Sequence, residues 1–389
     1  VQNWFFTSES VTEGHPDKVA DRISDSVLDE VLRRDPYGRV ACEALVTRGK
    51  VIVAGEIGSD VEIDVDSIAR RAIAKAGYDS GPGFSAETCT VENLIGTQSP
   101  DIAGGVIASL EAREGSSEPL DRLGAGDQGI MFGYAVDETP ELMPAPIQYA
   151  HRLARRLSIV RKDGTVPYLG PDGKTQVTLE YKGRKPASVS RVLVSSMHRP
   201  GIDQSEMRRD LITAVIQPEI GHLDLSTVEI LVNPSGRFEV GGPEGDTGLT
   251  GRKIIVDTYG GTARHGGGSF SGKDPTKVDR SAAYAARHAA KNLVAAGLAD
   301  ECEVQLSYAI GRATPFSVRV ETFGTEHVDP KRINDVAMDA FDFRPEAIIQ
   351  RFRLRRPIYT ETAAYGHFGR AEFPWEAVDM ADELARELA

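Results

Sequence analysis

The sequence predicts an α/β protein of the α+β kind, built as three similar β-α-β-β-α-β domains about a pseudo-threefold axis. Three observations predict it. The same element order recurs three times along the chain. Corresponding elements lie roughly 125 to 135 residues apart, the usual size of one domain. The chain has 389 residues, too many for one compact core. Residue identities do not repeat, so any duplication is old.

Each unit opens with a short strand, expected at 4–10, 128–135 and 253–260. A helix follows at 16–33, 146–159 and 275–296. In the first of these Val19, Ile23, Val27 and Val31 recur every fourth residue. Asp274-Pro275 supplies an N-cap and a proline at the first helical position for the third, and Asp329-Pro330 repeats the device later. Hairpins then span 40–57, 176–197 and 303–323, turning near Arg48-Gly49, Gly183 and Gly311. Second helices are expected at 66–76, 204–216 and 331–341, and closing strands at 89–95, 228–232 and 348–354. Sequential boundaries fall at 1–100, 127–240 and 241–389. Two stretches break the order. Residues 97–127 are a long segment with little strand or helix signal, the length of a lid or binding loop. Residues 233–251, dense in glycine and proline, join the second and third units.

Hydrophobic content of 40% and charged content of 26% are those of an ordinary globular protein. No apolar run is long enough to span a bilayer and no signal sequence opens the chain, so a cytoplasmic location is expected. Cys42, Cys89 and Cys302 are far apart, odd in number and without zinc spacing, which argues against a disulfide framework. Forty-five basic residues against 58 acidic ones give a net charge of −13. Such a surface repels nucleic acid and anionic membranes, so neither is an expected partner. Any local cluster of Lys and Arg therefore needs a reason.

Two glycine motifs are misleading. Gly124-Ala-Gly126-Asp-Gln-Gly129 has dinucleotide-fingerprint spacing, but a polar loop precedes it and a strand follows, where the fingerprint needs strand then helix. Gly267-Gly-Ser-Phe-Ser-Gly272-Lys273 begins like a P-loop, yet Asp274 stands where Ser or Thr should hold magnesium. The P-loop fold is rejected. Its chemistry is kept: glycine-rich backbone, a lysine and a helix N-terminus make a polyphosphate cradle. Arg252, Lys253, Arg264, Lys273 and Lys277 crowd this same glycine-rich segment of an acidic protein. A solvated positive face is the bland alternative; the flanking glycines, which let backbone approach a ligand, favour the cradle.

Asp279 sits in the first turn of the following helix, where it complements the helix dipole or forms half of a magnesium site. Asp17, in His15-Pro16-Asp17-Lys18, opens the first helix in the same way and is its candidate partner. In the first hairpin a turn at Arg48-Gly49 pairs Glu43 with Ala54, so Glu43 and Glu56 share a face roughly 7 to 8 Å apart. Cys42, Leu45, Val53 and Ile57 are expected on the opposite, apolar face. The carboxylate face is expected to be buried, and it then needs a metal or an ammonium ligand.

At these residues the chain resembles the methionine adenosyltransferases (S-adenosylmethionine synthetases) along nearly its whole length. The resemblance is carried by Thr7-Ser-Glu-Ser-Val-Thr-Glu-Gly-His-Pro-Asp-Lys18, Gly124-Ala-Gly-Asp-Gln-Gly129, Asp257-Thr-Tyr-Gly-Gly261, Gly266-Gly-Gly-Ser-Phe-Ser-Gly-Lys-Asp274 and Glu361-Thr-Ala-Ala-Tyr-Gly-His-Phe-Gly369, in that order. It implies three similar α/β domains that interleave some strands, a lid loop over 101–126, and homotetramers of tight dimers with active sites at the dimer interface. It implies synthesis of S-adenosylmethionine from ATP and L-methionine by sulfur attack on C5′. The released triphosphate is then hydrolysed to phosphate and pyrophosphate.

The resemblance also assigns residues. His15, Lys174, Arg252, Lys253 and Lys273 would hold the triphosphate, with Ser269 beside it. Asp172, Ser235, Arg237, Phe238 and Asp246 would position adenosine, Phe238 stacking on adenine. Glu56, Gln98, Asp127, Lys277 and Ile310, with Asp246, would shape the methionine pocket. Asp17 and Asp279 would bind two Mg²⁺ per site, and Glu43 a K⁺. The chain departs from the family pattern at Ser269 (usually alanine), Thr262 (commonly methionine), Ala44 (threonine) and Gly104-Gly-Val-Ile107 in the lid (often Gln-Gly-Val-Asp). These bear on rate and lid closure, not on reaction class. An ATP-cleaving enzyme or kinase without methionine chemistry, and a non-catalytic regulatory subunit, are the alternatives. Glu56, Gln98 and Asp127 argue against the first; Lys273, Asp17 and His15 argue against the second.

Overall fold

The computed structural model describes residues 3–81, 83–97 and 108–388. Its first unit comprises β1 (Asn3–Val11), α1 (Pro16–Arg34), β2 (Arg39–Thr47), β3 (Lys50–Gly58), α2 (Val65–Ala76) and β4 (Thr90–Thr97). The second comprises β5 (Gly129–Val136), α3 (Ala145–Lys162), β6 (Leu169–Lys182), β7 (Lys185–His198), α4 (Gln204–Leu211) and β8 (Glu229–Val232). The third comprises β9 (Gly248–Leu249), α5 (Val278–Ala295), β10 (Glu301–Tyr308), β11 (Ser317–Glu321), α6 (Pro330–Ala340) and α7 (Pro345–Phe352), before α8 (Ala381–Leu388).

The three sheets run β4-β3-β2-β9, β8-β7-β6-β1 and β11-β10-β5. In each, the strand that opens one unit has joined the hairpin of another. β1 pairs antiparallel with β6 (Phe6 opposite Leu179), β5 with β10 and β9 with β2, so the exchange is cyclic. This is the interleaving that the family resemblance implies. Each exchanged strand is pinned by the first helix of the unit that receives it: α3 lies on β1 and β6, α5 on β5 and β10, α1 on β2 and β9. The apolar ladder Val19, Ile23, Val27 and Val31 packs on Val40, Val46, Val51 and Val53 in one core. Two further cores lie under α3 with α4 and under α5 to α8.

Five sequence expectations are corrected. Residues 253–260 form no strand: Ile254–Asp257 is one helical turn, Gly260 and Gly261 take positive φ, and Gly248–Leu249 supplies the exchanged strand instead. A short β-branched run does not distinguish strand from helix. Residues 348–354 belong to α7, where Ile348, Ile349 and Phe352 share one helical face behind Pro345, and the third sheet stops at three strands. Asp274-Pro275 does not begin α5. Asp274 is committed to the Thr276 N–H and hydroxyl and to the Val40 N–H at 2.8 Å, so the helix starts at Val278. In the first hairpin Glu43 does pair with Ala54, but Leu45 shares its face, two residues along. That carboxylate face is not buried: Glu43 and Glu56 are exposed in the single chain.

The helix expected at 204–216 is broken by a π turn at Ile212–Ile216, whose Ala214 carbonyl accepts a hydrogen bond from Arg156 at 2.9 Å. Residues 108–127 carry a helical turn at Leu110–Arg113 and are tied down. Leu110 N donates to Gly311 O at 2.8 Å, and Arg344 reaches Asp121 at 2.8 Å. The rest of the expected lid, with Gln98, Gly104 and Ile107, lies outside the described residues. Among the described residues no helix is long and apolar enough to cross a membrane, and the three cysteines are free and buried.

Helix and sheet approach closely at Gly133 on β5, where an added Cβ would fall 1.9 Å from the Ala286 carbonyl carbon of α5. Gly133→Ala is expected to cost about 1 to 3 kcal/mol by overpacking. Gly96→Ala, at a site with nothing within 4 Å, is the control. Thermal melting of both variants checks the contact; equal melting temperatures would remove it.

Candidate active site

The first turn of α1 is set by three consecutive residues. His15 is the N-cap, its Nδ1 accepting from Asp17 N at 3.2 Å, and Pro16 fills the position that needs no N–H. The ring proton of the neutral imidazole therefore sits on Nε2. Asp17 is buried; its Oδ1 accepts from Leu249 N at 3.0 Å and its Oδ2 meets Lys253 Nζ at 2.5 Å. Arg252 Nη1 lies 4.0 Å from the same carboxylate. Lys174 arrives on β6, in register with Val11 at the end of β1. Segments distant in sequence thus converge on one helix N-terminus.

Charge follows from this geometry. Burial, then the Lys253 ammonium, push the His15 pKa down to about 3; Asp17 pulls the other way and is outweighed, with Lys174 and Lys18 adding to the fall. Burial raises the Asp17 pKa, but the Lys253 and Leu249 hydrogen bonds bring it below the usual carboxylate range. The site is built to receive anionic oxygens: cations, a neutral N–H donor and a helix N-terminus.

Next to it Asp172 is buried, with Oδ2 accepting from Gly242 N at 2.8 Å and Oδ1 left without a partner among the described residues. Burial pushes its pKa up to about 6 against the Gly242 bond, and the Asp246 charge adds to the rise. Phe238 borders the same spot: a Cβ on Gly241 would come 2.7 Å from its ring and 3.2 Å from Asp172 Oδ2. The turn carrying exposed Ser235 and Arg237 is anchored by Asn233, whose amide bonds both Ser196 N and O, and by Phe238 N donating to His198 Nε2 at 3.1 Å. A cavity of about 550 Å³ opens between Glu9, Gln176, Arg252 and Lys253.

A second cluster forms around Lys273. Gly272, at φ +78°, passes so close to β2 that a Cβ would overlap the Cys42 carbonyl at 1.8 Å. Lys273 emerges opposite Ala41, itself opposite Glu56, and its Nζ reaches Asp279 Oδ2 at 2.6 Å. Lys277 pairs with Asp274. Gly126 lies against the Thr276–Lys277 backbone, and Ala125 exchanges hydrogen bonds with Gly311 and Arg312. Exposed Asp127 and Ile310 each sit one residue from these contacts. Glu43 makes no ion pair among the described residues.

One chain therefore gathers His15, Asp17, Asp172, Lys174, Phe238, Asp246, Arg252 and Lys253 in one half-site. Glu56, Asp127, Lys273, Lys277, Asp279 and Ile310 form another. The two are joined where Ser269 abuts Gly251, whose Cβ would fall 2.5 Å from it. Asp17 and Asp279 share no partner among the described residues, and each carboxylate faces an ammonium. Among the described residues no group of three or more His, Cys, Asp or Glu could hold a metal by itself. The sequence reading missed Lys18, Asp21, Asp25, Asp257 and Arg280, all buried at the join. Lys18 bonds Asp21 at 2.9 Å and also Asp257, while Arg280 grips Asp25 at 2.7 and 3.0 Å. Aspartates at 17, 21, 25 and 29, four apart on a helix, were the available signal.

A helix start that gathers cations beside an aromatic ring, on a strand-exchanged α/β scaffold, is the arrangement of a nucleotide-handling enzyme. Family models of the S-adenosylmethionine synthetase N-terminal, central and C-terminal domains match residues 3–100, 122–238 and 240–377. The S-adenosylmethionine synthase of Parafrankia sp. (strain EAN1pec) is 60% identical over 387 residues, 97% of each chain. Those of Desulforudis audaxviator and Thermus thermophilus are each 58% identical, over 97% and 98% of both chains. The chain belongs to the S-adenosylmethionine synthetase family, the methionine adenosyltransferases.

A histidine whose folded pKa lies below its unfolded value adds stability above pH 6.5 and loses it as pH falls toward 3. His15 should accordingly stay neutral in the ligand-free protein from pH 8 to 5. NMR of labelled histidine checks this, the His15→Asn variant assigning the signal; a midpoint near 6.5 would refute the buried-cap geometry.

Proposed function

We propose that this chain forms S-adenosylmethionine from ATP and L-methionine, by attack of the methionine sulfur on C5′ of ATP. The observation that carries the reading is the convergence of His15, Asp17, Lys174, Arg252 and Lys253 on one helix start. As the S–C5′ bond forms and the C5′–O bond breaks, a sulfonium cation appears and triphosphate leaves with the bonding pair. The thioether is already a nucleophile, so no general base is needed. The chain's task is to place the sulfur in line, which contributes up to about 7 to 11 kcal/mol in ideal cases, and to stabilise the departing anion.

Lys174, Arg252, Lys253 and Lys273 meet the triphosphate, with Ser269 beside it, and His15 donates from Nε2. Asp172 offers its unpartnered oxygen to a donor of the adenosine moiety, Phe238 stacks on the base, and Ser235, Arg237 and Asp246 border it. Glu56, Gln98, Asp127, Lys277 and Ile310 form the methionine pocket. Asp17 and Asp279 would hold two Mg²⁺ per site and Glu43 a K⁺, which when bound lower the charge of the triphosphate. Hydrolysis of that triphosphate to phosphate and pyrophosphate follows in the same site.

A homotetramer of dimers fits the divided site: a second copy would bring its Lys273 half to the first copy's His15 half. Uncovered apolar side chains support it, with Leu249 and Ile255 near the first half and Ile130, Leu94 and Ile310 near the second. We also place the enzyme in the cytoplasm, with the segment 101–126 read as its lid loop between domains at 1–100, 127–240 and 241–389.

Incubation with ATP, methionine, Mg²⁺ and K⁺ should yield S-adenosylmethionine by mass; ATP cleavage indifferent to methionine would favour an ATPase instead. Lys273→Ala and His15→Ala should each lower kcat at least 100-fold, far more than they weaken methionine binding. Near-normal turnover in both removes their assignments. Glu43→Gln should blunt activation by K⁺, read as rate against K⁺ concentration, and an unchanged response withdraws that site.

A further inference from the structure

Four aspartates recur every fourth residue along one buried side of α1: Asp17, Asp21, Asp25 and Asp29. Each accepts backbone N–H groups from a distant part of the chain. Asp17 takes Leu249 at 3.0 Å, Asp21 takes Gly251 at 2.8 Å, Asp25 takes Gly272 at 2.8 Å, and Asp29 takes Tyr359 and Thr360 at 3.0 and 2.8 Å. The second and third rungs hold the two glycines that immediately precede the cations, Gly251 before Arg252-Lys253 and Gly272 before Lys273. Both glycines are left-handed, at φ +73° and +78°, so neither loop can slide or rotate without losing its rung.

The grip on Lys273 is double. Arg280 binds Asp25 through both terminal nitrogens and also donates from Nη1 to Lys273 O at 3.1 Å. From the other side Cys42 N donates to Gly272 O at 2.9 Å, and Asp274 N to Val40 O at 3.1 Å. Asp21 is paired in turn with Lys18, the residue after Asp17. Arg280 likewise follows Asp279. Each helix start thus carries an acid paired with a loop lysine, Asp17 with Lys253 and Asp279 with Lys273, and, one residue on, a buried cation committed to a rung of α1.

We propose that Asp21 and Asp25 are positioning residues for adenosyl transfer: α1 acts as a rail that fixes the Arg252–Lys253 loop and the Lys273 loop in register. They touch no substrate; they act through the loops. The inference rests on the reading that Lys273 contacts the triphosphate, and it adds the groups that set where Lys273 stands.

Asp25→Asn keeps one acceptor oxygen and removes the charge that orients Arg280. It should lower kcat about 10- to 100-fold with KM for methionine within about threefold. In a Lys273→Ala background it should cost less than about threefold, because the group it positions is gone. Asp29→Asn breaks an equally buried rung that holds no cationic loop. It should lower the melting temperature while leaving kcat unchanged. Should Asp25→Asn not fold, Arg280→Lys supplies the same measurement with the charge retained. An impaired Lys273→Ala beside an unimpaired Asp25→Asn overturns this inference alone, as does an equal cost of Asp25→Asn in both backgrounds. Near-normal turnover of Lys273→Ala overturns the parent reading, and this one with it.

Discussion

The row of buried carboxylates on α1 is the constraint on which the arrangement depends. A buried aspartate is costly unless its charge and lone pairs are met. Lys18 of the same helix answers Asp21, and the other partners come from the third unit and the segment after it: Leu249, Gly251, Lys253, Gly272, Arg280, Tyr359 and Thr360. Docking one unit on another is therefore a requirement of the first helix, not an option. Breaking one partner of a buried pair commonly costs about 3 to 5 kcal/mol, so these contacts demand a single relative placement of the units.

Strand exchange imposes the same demand through the sheets. Because β9 completes the first sheet, β1 the second and β5 the third, no sheet can be finished by its own segment. The exchanged strands end where the clusters begin. Val11 closes β1 opposite Lys174, Leu249 ends β9 against Asp17, and Gly129 opens β5 near Asp279, which lies 3.3 Å from where its Cβ would stand. Topology and chemistry meet at the same residues.

Much of this was legible in the sequence. α1, the three hairpins and the β3–β4 and β7–β8 crossovers follow from periodicity and turn residues, since apolar spacing and glycine report local geometry directly. The exchange of β1, β5 and β9 was carried only by resemblance, because a strand's own residues do not name its neighbour. Ile254–Asp257 and α7 were misread where short apolar runs suit either element. The aspartate row escaped for a different reason. Asp every fourth residue on a helix ordinarily reads as a solvated face, and only the tertiary partners, backbone N–H groups more than 200 residues away, make it a buried one.

The two half-sites differ in net charge, and this bears on how a chain of net charge −13 handles ATP. Near His15 three cations, Lys174, Arg252 and Lys253, meet three carboxylates, Asp17, Asp172 and Asp246, with the imidazole neutral, so this half is close to balanced. Near Lys273 four carboxylates, Glu56, Asp127, Asp274 and Asp279, stand against Lys273 and Lys277. Fixed charges that face one another across a seam act over about a Debye length, roughly 8 to 10 Å. In the proposed pairing of two chains, the half that carries Lys174, Arg252 and Lys253 in one would face the net-negative half of the other. On that reading the triphosphate would lie against Lys174, Arg252 and Lys253, and an amino acid's ammonium would find its counter-charge on the negative half. The reacting sulfur and carbon would then fall at the seam between them, where exclusion of water would make each fixed charge count most.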